Sequence, residues 1–205
     1  MKGYRYVTIE REYASGGAQV GRLVGQALGV PVYGREILEM AAQEGGTTPE
    51  YMEHLEETDT NSLLYSLVAM AKTTQGQLPQ ISQTDQLNLL ESQIIQRLAQ
   101  EGPCVLVGRC AGWVLRERQD VLQVFVHADR ETRLRRAREE YGVSPDKAPA
   151  VLHRYDHRRS NFYHANTGRS WSRREGYHLV LDSGLLGVEL CARIVEGAVR
   201  ASREA

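Results

Sequence analysis

Apolar residues along the chain follow two alternating periods. Short runs rich in β-formers occur at Tyr6, Val7 and Ile9, at Val30 to Tyr33, at Cys104 to Val107, at Val121 to Val126 and at Tyr177 to Leu181; such runs suit buried strands. Between them the spacing becomes helical. Val20, Leu23, Val24, Ala27 and Leu28 share one helical face, as do Leu87, Leu90, Ile94, Ile95 and Leu98 in a helix from Asp85 that stops at Gly102-Pro103. Asp129 is placed to cap a helix carrying Leu134, Ala137 and Tyr141. Ser144-Pro145 opens another with Ala148, Val151, Leu152, Tyr155 and Phe162 on one face, and Val188 to Val199 forms the last. Strands alternating with helices predict an α/β fold: three layers, with about five parallel strands joined by right-handed crossovers and covered on both faces.

Two insertions interrupt this rhythm. After the second strand a helix from about Glu36 to Gln43 ends at Gly45-Gly46. Thr48-Pro49 then starts an acidic helix, Ser62 to Lys72 a more apolar one, and Thr73 to Asp85, with four glutamines and no apolar period, reads as a mobile loop. The second insertion precedes the fifth strand, where Asn161 to Arg174 is also expected to be mobile. We expect one domain over residues 1–205, with an inserted lobe at about 36–85 and a lid-like region at about 142–176.

Composition narrows the classes. In 205 residues, 25 basic and 26 acidic side chains leave the chain near neutral, giving no global charge for nucleic acid or an anionic membrane. No apolar run approaches the roughly 18 residues of a membrane span, and the first residues lack the apolar core of a signal peptide. Cys104, Cys110 and Cys191 have no metal-ligand spacing, and an odd count suits reduced thiols. These features predict a cytoplasmic protein; the oligomeric state stays open.

Candidate chemistry gathers where strands end. The first strand runs through Arg11-Glu12-Tyr13-Ala14-Ser15-Gly16-Gly17 into a helix, an arrangement that cradles phosphate on backbone N–H groups and the helix dipole; the alternative is a turn that needs glycine for geometry alone. Laid on G-x-x-x-x-G-K-[ST], it puts Arg11 at the first glycine, Gly17 at the lysine and Ala18 at the hydroxyl residue. Arg109 directly follows a buried strand, suiting a phosphate or base edge, or else a carboxylate that pins a loop. In His153-Arg154-Tyr155-Asp156-His157-Arg158-Arg159, Arg154 and Arg158 lie one turn apart and could gather polyphosphate; the alternative is a solvated face paired with Glu139 and Glu140. Cys110, beside Arg109, is placed for a lowered thiol pKa but has no evident base. Ser183 in LDSG fits no nucleophile elbow, and Trp113 and Trp171 read as packing residues.

Together, TIEREYASGGAQVGRLVGQALGVPVY, CVLVGRCAGWVLRER, VFVHADRETRLRR, RYDHRRSNFYHANTGRSW and YHLVLDSGLLGVE resemble the nucleoside monophosphate kinases, in particular the cytidylate kinase-like branch, over nearly the whole chain. The resemblance implies a P-loop NTPase fold with a nucleotide-binding insert and a lid. It also implies transfer of the ATP γ-phosphate, with Mg²⁺, to a pyrimidine monophosphate such as CMP. By position it assigns Ser15, Gly16, Gly17 and Ala18 to the phosphate loop and Arg109 and Asp156 to the acceptor. Arg154, Arg158 and Arg159 become phosphate clamps, and Arg11 could supply the missing lysine charge. Metal ligands are not assigned. Cytidylate kinases carry an aspartate where this chain has Cys110 and an acid near Gly34. These departures leave two alternatives to a CMP kinase: a nucleotide-binding regulator with little or no transferase activity, and a kinase for another small metabolite.

Overall fold

The computed structural model describes residues 3–51 and 83–204. Five strands, β1 (Tyr6–Arg11), β2 (Val32–Tyr33), β3 (Val105–Val107), β4 (Val121–His127) and β5 (Leu179–Asp182), form one parallel sheet in the order β2-β3-β1-β4-β5. Val7 is in register with Val105 on one side and Leu122 on the other, so β1 lies at the centre. Helices α1 (Gly17–Leu28) and α8 (Val188–Glu204) cover one face. Helices α2 (Arg35–Glu44) and α3 (Gln83–Glu101) cover the other.

Strand alternation explains the layers. Val7, Ile9, Val105 and Val107 point to the α1/α8 side with Val20, Val24 and Val195, whereas Tyr6 and Leu106 point to Ile37, Leu38, Ile94 and Ile95. The expected three-layer α/β architecture is therefore present. Thr48 accepts a hydrogen bond at 3.3 Å from the Tyr51 N–H, with Pro49 the first helical residue after it. Asp129 accepts from Thr132 at 2.9 Å and starts α5 (Arg130–Glu139). Both caps were legible in the sequence.

Several boundaries differ. Helix α6 (Ala148–Thr167) starts after the Ser144-Pro145 pair, because the Ser144 carbonyl accepts from both Lys147 and Ala148 and closes a separate turn first. That helix continues to Gly168, so the first half of the segment expected to be mobile is regular helix. β5 begins at Leu179 rather than Tyr177, whose N–H closes a short 3₁₀ turn over Arg174–Gly176. The expected helix over Ser62 to Lys72, and most of the Thr73 to Asp85 loop, lie outside the described residues; Gln83 to Asp85 already belong to α3.

Helix α1 rests on β2 through a position where only glycine fits. A Cβ on Gly25 would lie 2.1 Å from Cγ2 of Val32 and 3.0 Å from the Val30 carbonyl oxygen. Gly25→Ala is therefore expected to lower stability by roughly 1–3 kcal/mol through overpacking. A thermal melt should show a depressed midpoint; an unchanged midpoint would contradict this packing.

Candidate phosphate-binding cleft

The turn after β1 is held by residues far along the chain. Its Ser15 carbonyl accepts from Arg136 Nη1 at 2.9 Å and from the Ser183 hydroxyl, 168 positions away. Ser15 donates its own hydroxyl to the Glu12 carbonyl at 2.9 Å. Gly16 has φ of 78°, in the left-handed region, and a Cβ there would press within 2.7 Å of Val188. Helix α1 follows with no capping side chain, so its first N–H groups meet the turn without a side-chain acceptor. Ser15, Gly16, Gly17 and Ala18 thus occupy one strand–turn–helix junction.

Beside it, β3 ends in an unusual turn. Gly108, Arg109 and Cys110 have φ of 80°, 58° and 53° in succession; for the two non-glycine residues this left-handed backbone costs about 1–3 kcal/mol each. Short helix α4 (Ala111–Val114) follows. The Arg11 guanidinium lies directly over Gly108, where a Cβ would come within 2.0 Å of its Nη1. Arg159, from α6, donates to the Arg11 carbonyl at 3.0 Å.

Arg11, Arg109, Arg158 and Arg159 line one cleft of about 420 Å³, together with Arg35 and Glu10. Tyr13, Tyr141, Tyr155 and Tyr163 line it as well. Tyr13 and Tyr155 stack with ring centroids 4.5 Å apart, and Arg159 lies 5.8 Å from the Tyr13 centroid.

Electrostatics gives the cleft its preference. Burial, and then the nearby Arg11, push the Arg159 guanidinium down to about 9. Burial also lowers Arg11, although Glu10 lies 4.0 Å away. Arginine keeps its proton at neutral pH, so both guanidiniums face the cleft as cations. Burial raises Glu10, whose carboxylate accepts from Trp171 Nε1 at 3.4 Å. Cys110 is buried and its thiol is pushed up by that burial, contrary to the expected lowering.

The other sequence candidates lie apart. Arg154 is exposed, 5.3 Å from the Tyr155 ring centroid, and does not line the cleft. Asp156 also lies outside the lining: its carboxylate accepts from the Tyr13 N–H at 2.7 Å and from Arg133 at 2.6 Å. Arg133 grips Glu12 as well, at 2.9 Å, so Asp156 ties α6 to the turn. Sequence reasoning did not single out Arg35, Arg133 or Arg136, or Glu91. The last is 2 % exposed on α3, with Oε1 3.2 Å from Arg109 Nη1, and burial pushes its carboxyl up to about 8. Among the described residues no three His, Cys, Asp or Glu side chains gather around a common point, and no helix is long and apolar enough to cross a membrane.

A five-stranded parallel sheet with a glycine turn at its central strand and a cationic cleft beyond the strand ends is the architecture of a P-loop kinase. The chain belongs to the cytidylate kinase-like family, whose model matches residues 6–185. Among solved structures it resembles an uncharacterized protein from Eubacterium ventriosum ATCC 27560, at 18% identity and TM-score 0.72, covering 96% of this chain and 98% of that one. The shikimate kinase from Acinetobacter baumannii, in complex with shikimate, matches at 12% identity and TM-score 0.53, covering 98% and 96%. A gluconokinase from Sinorhizobium meliloti 1021 matches at 14% identity and TM-score 0.52, covering 100% and 97%. At these identities the likeness is one of fold. No curated protein matches the chain in sequence.

The raised Glu91 carboxyl has a measurable consequence. A folded-state value near 8 against the ordinary 4.5 means that the folded protein holds this proton more tightly than the unfolded chain. Its contribution to stability is therefore complete below the ordinary value and is lost as pH rises through the folded one. Urea unfolding of wild type and Glu91→Gln should show wild type losing stability relative to the variant between about pH 5 and about pH 9. A difference constant across that range would contradict the assignment.

Proposed function

We propose that the protein transfers the γ-phosphoryl group of ATP to a nucleoside monophosphate, with CMP as the first candidate. Membership of a kinase-like family supports phosphoryl transfer as the reaction class. The observation that carries the proposal is the convergence of Arg11, Arg109, Arg158 and Arg159 on one cleft beside the glycine turn. Phosphoryl transfer consists mostly of positioning and charge stabilisation, and this cleft offers both.

In this reading the ATP phosphates rest on the N–H groups of Gly16, Gly17 and Ala18, with the α1 dipole behind them. Arg109, Arg158 and Arg159 hold the acceptor phosphate. Arg11 stands between the two sites: its Cβ packs against Gly17 and its guanidinium lies over Gly108. From there it supplies the charge that a loop lysine would bring. Magnesium, which keeps several waters and usually takes one or two carboxylates plus substrate phosphates, would arrive with the nucleotide and neutralise its phosphates. Asp156 acts by holding α6 against the turn as a lid. The buried, free cysteines support a reducing, cytoplasmic setting.

A second reading, a nucleotide-binding regulator, is favoured by Gly17 and Ala18 at the positions of the loop lysine and hydroxyl. Titration of ATP and of CMP, with transfer followed in parallel, separates the two. Arg109→Ala should weaken CMP binding by roughly 2–3 kcal/mol, the worth of a charge-assisted contact, and leave ATP binding nearly unchanged. Arg11→Ala should cut turnover by about 100- to 1,000-fold, the effect of losing one preorganised charge. Binding without transfer to any monophosphate would favour the regulator. Failure of both nucleotides to bind at millimolar concentration would remove both nucleotide readings and leave only the fold.

A further inference from the structure

Behind Arg109 the cleft adjoins a second, much smaller space of about 10 Å³, lined by Asn88, Glu91, Trp113 and Asn166, with Arg109, Cys110 and Phe162 shared between the two. Room of that size admits one water or one small polar group, and no ring. Its walls are polar to a degree that a packed core avoids. Asn88 and Glu91 are 4 % and 2 % exposed. Asn88 Oδ1, both Glu91 carboxyl oxygens and Trp113 Nε1 are all buried without a hydrogen bond. Arg109 Nη1 lies 3.2 Å from Glu91 Oε1 without hydrogen-bond alignment, and the raised carboxyl keeps its proton at neutral pH. Each buried polar atom left unpaired costs about 1–3 kcal/mol, and native structures retain few of them without a reason. Four such atoms around one niche, at the inner end of a ligand cleft, constitute a site awaiting a partner.

The balance of donors and acceptors identifies that partner. With Glu91 protonated, two of the four orphaned atoms, Asn88 Oδ1 and the Glu91 carbonyl oxygen, accept, so the entering group must bring hydrogens. The other two, the Glu91 O–H and Trp113 Nε1, donate and can serve an acceptor beside that group. We infer that the niche admits a ring amino group of the phosphate acceptor, flanked by an acceptor ring nitrogen, with Glu91 and Asn88 receiving its two N–H bonds. A carbonyl in the same place would leave both acceptors unpaired. A water in the empty niche supplies two donors as the amino group does, and the amino group displaces it without losing those bonds. The inference rests on the nucleotide reading above and deepens it, making Glu91 and Asn88 the residues that choose among bases while the arginines hold the phosphate.

Calorimetric titration of CMP and of its 4-deamino analogue, which differ only in the amino group, tests this on the intact protein. Wild type should bind CMP about tenfold more tightly than the analogue, the worth of one well-made hydrogen bond. Glu91→Leu and Asn88→Leu, each of which removes one acceptor, should each bring that ratio towards one, mainly by weakening CMP. The ratio is the informative quantity, because a general loosening of the fold would weaken both ligands together. Equal binding of the two ligands by wild type, or a ratio that survives both substitutions, would overturn the inference, leave the niche a water pocket and leave the nucleotide reading standing. If neither monophosphate binds at millimolar concentration, the nucleotide reading and the inference fall together.

Discussion

Two half-buried guanidinium groups lining one cleft are the constraint on which the rest of this structure depends. Burial lowers both guanidiniums, Arg11 lowers Arg159 further, and Glu10 lies within ion-pair distance of Arg11. The sheet forces Arg11 into this position, because β1 is central and its last residue emerges between the ends of β3 and β4. Helix α6 brings Arg159 to it through a hydrogen bond to the Arg11 backbone. Buried like charges are tolerated where an anion relieves them, and the cleft they line is large enough to hold one.

The surrounding framework keeps these cations in place. Arg133 joins Glu12 of the turn to Asp156 of α6, and Asp156 also receives the Tyr13 N–H. Arg136 and Ser183 anchor the Ser15 carbonyl from the opposite side. Three successive left-handed residues aim Arg109 across the end of β3 towards the buried Glu91. The glycine turn, without lysine or hydroxyl, is therefore embedded in a dense set of arginines from β1, β3, α5 and α6. Positive charge absent from one position is present at several others, which is how a lysine-free turn remains compatible with phosphate chemistry.

Much of this was legible from the amino-acid order because it depends on local period. The strands, both helix caps and the two glycine-bearing strand ends follow from neighbours within a few residues. That the glycine turn and Arg109 share one end of the sheet followed from the rule that parallel strands open onto one ligand edge, whereas Arg158 and Arg159 reach the cleft from α6 and Arg154 does not. Pairings across long separations were not legible. Asp156 was placed with the acceptor, yet its carboxylate turns to a backbone amide 143 positions away. Glu91 did leave a signal: it lies four residues after Leu87 and three before Ile94, a carboxylate within an otherwise apolar helical stripe. The raised thiol of Cys110 was misjudged because a neighbouring arginine was visible in the sequence and complete burial was not.

The account stands most directly on where a monophosphate sits. A crystal structure of the protein with CMP and a non-hydrolysable ATP analogue should place the CMP phosphate within hydrogen-bond reach of Arg109 and Arg159. The analogue's terminal phosphate should lie between the Gly16–Ala18 N–H groups and Arg11. A CMP phosphate bound outside this cleft, or triphosphate density away from the glycine turn with Arg11 and Arg159 unmoved, would contradict it.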